Sequence, residues 1–215
     1  MEVKQNLSWE GESVLNYRIS LPDPPEQTPR LIRYLGETGR VWTEYWEEKV
    51  YPRACRALCE RRAVSRVFRP WTAQLTGELT CQDKDLYSMK LEARELRGNG
   101  RPCLVCWGEL WDLAADAPLP VENLFTPGER WKKRVLEQIL ASGAARQREN
   151  LWFPDEDWRE KVKKSLHAVS PWVEEKTVFW SFPQGFMANP GEGTPIFTTE
   201  REAVSKRSGR NRNLP

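Results

Sequence analysis

The chain has 215 residues, 39% hydrophobic and 30% charged, with a mean hydropathy of −0.70. This is enough for one compact domain, or one domain with a small subdomain, and the chain is too rich in aromatics to be disordered. Lys and Arg number 33 against 31 Asp and Glu, a net charge of +2, so no whole-chain charge points to nucleic acid or a membrane surface.

The N-terminal stretch from Met1 to Glu10 lacks the apolar core of a signal peptide. The longest uncharged run, Thr177 to Gly191, has 15 residues and is broken by Pro183, Gly185 and Pro190. A spanning helix needs about 20 mostly apolar residues, so no membrane span is expected. Five cysteines in a chain without an export signal read as reduced thiols, and the expected location is cytoplasmic.

Val14 to Ser20 alternates, with Leu15, Tyr17 and Ile19 on one face of a strand. From about Gln27 to Ala63 apolar residues recur at helical steps, and Pro52 predicts a kink or a split into two helices. Val64 to Gln82 reads as two short strands around Pro70 and Gly77. Leu86 to Leu96 puts Tyr87, Met89, Leu91 and Ala93 on one face and Ser88, Lys90, Glu92 and Arg94 on the other. The turn Arg97 to Arg101 links it to a strand over Pro102 to Leu113, apolar on both faces for part of its length.

Thr126-Pro-Gly-Glu129 has capping-box spacing before a helix that buries Trp131, Val135 and Ile139. Asp155 is the expected cap of a shorter helix with Trp158, Val162 and Leu166 on one face. Strands at Thr177–Phe182 and Pro195–Thr199 close the pattern. The expected fold is α+β: a mainly antiparallel sheet, a long N-terminal helix, and two helices before the final strands. It occupies residues 1–204 as one domain, with a possible subdomain from about residue 120. Residues 205–215 carry four cations and no acid and read as a disordered basic tail.

The chemistry-bearing residues are few. Cys103 and Cys106 sit three apart on a predicted strand and so point to opposite faces, which argues for core thiols over a metal or redox pair. A single histidine, His167, falls at a helix end. The acidic pairs Glu47-Glu48 and Glu174-Glu175 read as solvated, and no phosphate-cradling glycine loop is present. No catalytic residue, metal or cofactor is predicted, and no specific nucleic-acid binding. The tryptophans at helix and strand core positions read as core.

The segments Leu124-Phe125-Thr126-Pro127, the Trp158 helix, and the closing run Val178 to Phe197 resemble the RsiV-type extracytoplasmic domain family, the lysozyme-sensing C-terminal domain of anti-sigma factors. Residues 86–112 and 14–57 resemble it more loosely. The resemblance implies an α+β domain that binds a partner or ligand and catalyses nothing. Lysozyme sensing is not carried over, because the chain shows neither a transmembrane segment nor sigma-binding helices. The expected function is thus a non-enzymatic binding or regulatory module for an unknown protein or small ligand. The alternatives are an accessory or enzyme acting on cell-wall glycan, or a structural protein of a larger assembly. The expected binding surface is the loop Pro183 to Glu192, where Gln184, Phe186, Met187 and Asn189 have no obvious packing partner.

Overall fold

The computed structural model describes residues 1–98, 100–128 and 130–201; the basic tail lies outside them. Among these residues a six-stranded sheet is formed by β1 (Glu2–Trp9), β2 (Glu12–Ser20), β3 (Trp71–Asp83), β4 (Leu86–Leu96), β5 (Cys103–Asp112) and β6 (Ala117–Pro118), in that spatial order. All its pairs are antiparallel except β2–β3, which run parallel. A parallel neighbour requires a long crossover, and the crossover here is the long helical segment between them. The fold is α+β, as the alternation predicts.

The edge strand β1 is absent from the sequence reading. Its residues alternate weakly: Val3 and Leu7 pack on the core, while Glu2, Lys4 and Asn6 point the other way. The two short strands expected around Gly77 are one continuous strand, β3. Gly77 does not break it; a Cβ there would lie 2.7 Å from Pro22 and 2.9 Å from Leu91. The glycine therefore marks a close approach of neighbours.

The crossover comprises α1 (Pro29–Tyr45), a π-helical turn at Trp46–Val50, and α2 (Tyr51–Ala63). Pro52 lacks an N–H and its ring crowds the carbonyl four residues back. A widened turn removes the conflict, with the Tyr51 amide bonding the Trp46 carbonyl. The expected kink is thus absorbed as a bulge. Leu31, Leu35, Trp46 and Val50 pack on Leu15, Tyr17, Ile19, Leu75, Met89 and Leu91 of the sheet. The start of α1 is capped from afar: Asp116, in the turn after β5, accepts from the amides of Arg30 (2.7 Å) and Leu31 (3.1 Å). A carboxylate at a helix N-terminus satisfies free donors and suits the helix dipole.

The second half contains α3 (Trp131–Arg148), α4 (Trp158–Ser165), and a three-stranded antiparallel sheet of β7 (Trp172–Glu174), β8 (Thr177–Ser181) and β9 (Ile196–Glu200). Both helices start later than their expected caps. Gly128, at φ +86, inserts a left-handed turn between Thr126 and α3, which starts after Arg130. α4 starts after Asp157, and the Asp155 carboxylate pairs with Lys161 instead. The helix faces are as predicted, with Val135, Ile139, Trp158 and Val162 fully or nearly fully buried.

The small sheet lies across one end of the large one. Leu86 and Leu110 of the large sheet join the cluster built by α3, α4 and the small sheet. Gly108 makes the crossing possible: its amide donates to the Ser170 carbonyl (2.8 Å), and a Cβ would sit 2.1 Å from the Pro171 backbone. Ser88, on the polar face of β4 in the sequence reading, is fully buried and accepts from the Val173 amide (2.7 Å). Lys90 of the same face lies under the Trp172 ring (5.8 Å), and the face is open at its other end, around Lys4, Arg18, Gln74 and Arg94.

Candidate functional site

In the loop after β8, most of the expected recognition residues serve the structure. Met187 has no solvent exposure and packs in the core with Phe182 and Phe197; Phe186 is half-buried against the same cluster. That corrects the expectation that they lack packing partners. The side-chain amide of Gln184 takes the place of a neighbouring strand at the edge of β5. Its Oε1 accepts from the Leu104 amide (2.7 Å), and its Nε2 donates to the Pro102 (3.1 Å) and Pro190 (2.8 Å) carbonyls. The exposed Asn189 accepts from the Gly191 amide (2.9 Å). Both Nε2 hydrogens of Gln184 are thus committed to the structure, and only one lone pair of Oε1 remains.

The cysteines do not converge. Cys106 shares the face of Gly108 and Leu110, whereas Cys103 lies by Trp42 and Tyr45 on the helix side. Among the described residues no three His, Cys, Asp or Glu side chains come together as a metal site. Glu47 and Glu48 are exposed, as expected, and Glu47 also accepts from the Tyr17 hydroxyl at 2.6 Å.

One acid is held in an unusual state. Glu109, between α1 and β5, accepts from the Tyr34 hydroxyl. Burial pushes its carboxyl above the ordinary range, and hydrogen bonds from Tyr34 and Trp107 only partly oppose the shift. The same burial, reinforced by the acid, raises the Tyr34 phenol. A raised carboxyl means that the folded state binds the extra proton. Its stabilising contribution is therefore full below the unfolded pKa and is lost as pH rises through the higher folded value. Glu109→Gln is expected to flatten the fall in thermal midpoint above about pH 4, with stability at pH 7 equal to or above wild type. A midpoint profile parallel to wild type from pH 4 to 7 would contradict this state of Glu109.

The best-built candidate site is the open end of the main sheet's polar face. In β2, Leu15, Tyr17 and Ile19 turn toward the helix, so Asn16 and Arg18 point outward. Strand register then sets their neighbours: Lys4 lies opposite Arg18, Arg18 beside Gln74, and Gln74 opposite Arg94. This row crosses four strands, and Arg18 and Arg94 are two strand spacings apart, roughly 10 Å. The adjacent row places Asn6, Asn16, Thr72 and Leu96 side by side. All of these except Asn6 line a groove of about 530 Å³.

Charge in the groove is only partly balanced. Glu2 pairs with Lys4 (3.1 Å) and Arg18 (2.8 Å), and these cations hold its carboxyl below the usual range, Lys4 contributing most. Arg94 pairs with no carboxylate among the described residues. Glu92, two residues away, pairs with Lys90. Like charges directly across a ladder destabilise a sheet; Glu2 offsets this for Lys4 and Arg18, leaving Arg94 as the cation of the row without a carboxylate partner among the described residues. Such an arrangement can hold carboxylates through forked arginine bonds and hydrogen-bond amides through Gln74 and Asn16.

The groove residues were missed in the sequence because their strands are brought together by the crossover and by the unread β1. The signal that was available is the outward alternation of Asn16, Arg18, Lys90, Glu92 and Arg94, which shows each strand's polar face but not its neighbour.

No protein-family model matches the chain, and no curated protein matches it. Solved structures similar to the chain include two DUF3298 family proteins. One is a DUF3298 family member from Bacteroides fragilis, 11% identical, covering 93% of this chain and 88% of its own, with a TM-score of 0.62. The other is a DUF3298 family protein from Pseudomonas aeruginosa, 14% identical, covering 93% and 87%, with a TM-score of 0.53. At these identities the likeness is one of fold: the chain has an α+β fold shared with DUF3298 proteins.

Proposed function

We propose that the protein is a non-enzymatic binding module that holds an acidic polypeptide segment of a partner on the open face of its main sheet. The observation that carries this is the Lys4–Arg18–Gln74–Arg94 row, whose cations exceed what Glu2 balances. An acidic peptide is favoured over a sugar or a base because the groove has no aromatic ring to stack on. Its aromatic neighbour, Tyr17, turns its ring into the core. The resemblance to RsiV-type domains also favours a partner-binding role over catalysis. Placing the protein in the cytoplasm belongs to the same proposal; its support is that Cys103 and Cys106 face opposite sides of β5 and so cannot form a disulfide with each other. Among the described residues no helix is long and apolar enough to cross a membrane.

The test is fluorescence anisotropy with a labelled deca-glutamate peptide. Wild type is expected to bind it, more weakly as salt rises because the groove is solvent-facing. Arg18→Gln with Arg94→Gln should lower affinity by about tenfold or more, two charge-assisted contacts being worth at least ~1.4 kcal/mol together. The folded state should be unaffected, since both side chains are exposed. Binding unchanged in the double variant would move the site elsewhere.

A further inference from the structure

The aromatic rings that the groove lacks occur at the same end of the sheet, on its helix side. There the end of α2, the connector into β3 and the β4–β5 turn enclose a second cavity of about 620 Å³. This volume lies within the range of small-molecule sites. Phe68 and Trp71 are half-buried and form part of its wall. Val67, 84% exposed, stands at the rim with no packing role that explains it.

Three guanidiniums line the same space. Arg61 and Arg69 are exposed and pair with no carboxylate among the described residues. Arg97 is held in place: it lies over the Trp71 ring at 5.7 Å and donates to Glu95 at 2.7 Å. Its Nε is buried and has no acceptor among the described residues. A ligand in the cavity can therefore meet only the outer nitrogens of this guanidinium. Gly98, at φ +64, and Gly100 complete the wall without side chains.

From this we infer that the cavity binds a phosphate monoester of a molecule that also carries a flat ring, with the phosphate among Arg61, Arg69 and Arg97 and the ring against Trp71 and Phe68. A carboxylate needs one guanidinium fork; a doubly charged phosphate, with three terminal oxygens, can engage all three. The ring supplies the apolar contact that two half-buried aromatics offer. The lining also contains Glu60. This acid opposes further phosphates and can accept from a hydroxyl, so a monophosphate fits better than a triphosphate. The inference does not rest on the groove: its residues, its chemistry and its side of the sheet are different.

The experiment is isothermal titration of the full chain at low ionic strength with adenosine monophosphate, phenyl phosphate, inorganic phosphate, adenosine and adenosine triphosphate. Adenosine monophosphate should bind about tenfold or more tightly than either inorganic phosphate or adenosine, the gain expected from stacking one ring. The triphosphate should bind more weakly than the monophosphate. Phenyl phosphate distinguishes the sources: binding equal to the nucleotide assigns the site to aryl phosphates in general, and weaker binding assigns it to nucleotides. Arg61→Gln with Arg69→Gln should reduce affinity about tenfold at an unchanged thermal midpoint, while Arg18→Gln with Arg94→Gln should leave it unchanged. Equal affinity for the monophosphate and inorganic phosphate would overturn the inference, because the ring would then contribute nothing. So would absence of binding, or loss of binding in the groove variant alone.

Discussion

Replacing Gly108 with alanine is expected to destabilise the protein by about 3 kcal/mol or more, at or above the upper end for overpacking in a core. The added Cβ would lie 2.1 Å from the carbonyl carbon and oxygen of Pro171 and 2.4 Å from the Trp172 amide nitrogen. These are backbone atoms, so no side-chain rotation relieves the contact. The small sheet must lift from the large one, weakening the Gly108–Ser170 bond and the burial of Ser88 beneath Val173. For a chain of this size the thermal midpoint should fall by roughly 6–12 °C. A fall under ~2 °C would mean that the two sheets do not cross at Gly108.

Met187→Ala is expected to cost about 3 kcal/mol, within the usual range for emptying a buried methionine site. Met187 is fully buried among Phe182, Phe197 and neighbours from α4, and its carbonyl accepts from the Asp155 amide at 2.8 Å. Chemical denaturation checks the value. A loss below ~1 kcal/mol would return the side chain to the surface and restore this loop as a recognition element.

These two positions show what was legible in the sequence and what was not. Periodicity gave the elements where one face is buried: Leu15, Tyr17 and Ile19 in β2, Tyr87 to Ala93 in β4, and Val135 and Ile139 in α3 all point where their spacing says. It failed where contact with a distant segment overrides local chemistry. Asp155 looks like a cap but pairs with Lys161, whereas α1 is capped by Asp116, 86 residues from Arg30. Gly77 looks like a break, but both it and Gly108 mark places where other segments come close.

The same limit applies to the candidate site. Outward faces can be read strand by strand, whereas the groove exists only because β2 and β3 lie side by side in parallel and β1 adds an edge. The loop from Pro183 to Glu192 drew attention for the opposite reason. Its residues had no visible partner in the sequence, and their partners lie on β5 and in the core formed by the second half. A polar side chain in such a loop is as well suited to closing a sheet edge as to meeting a ligand, and Gln184 does the former.

The most direct test of the binding face is to follow backbone amide shifts while adding deca-glutamate peptide to the labelled protein. The largest shifts are expected at Arg18, Gln74 and Arg94 and their ladder neighbours, losing amplitude as salt is raised. Shifts confined to the loop from Pro183 to Glu192, with the amides of β2, β3 and β4 unmoved, would contradict it.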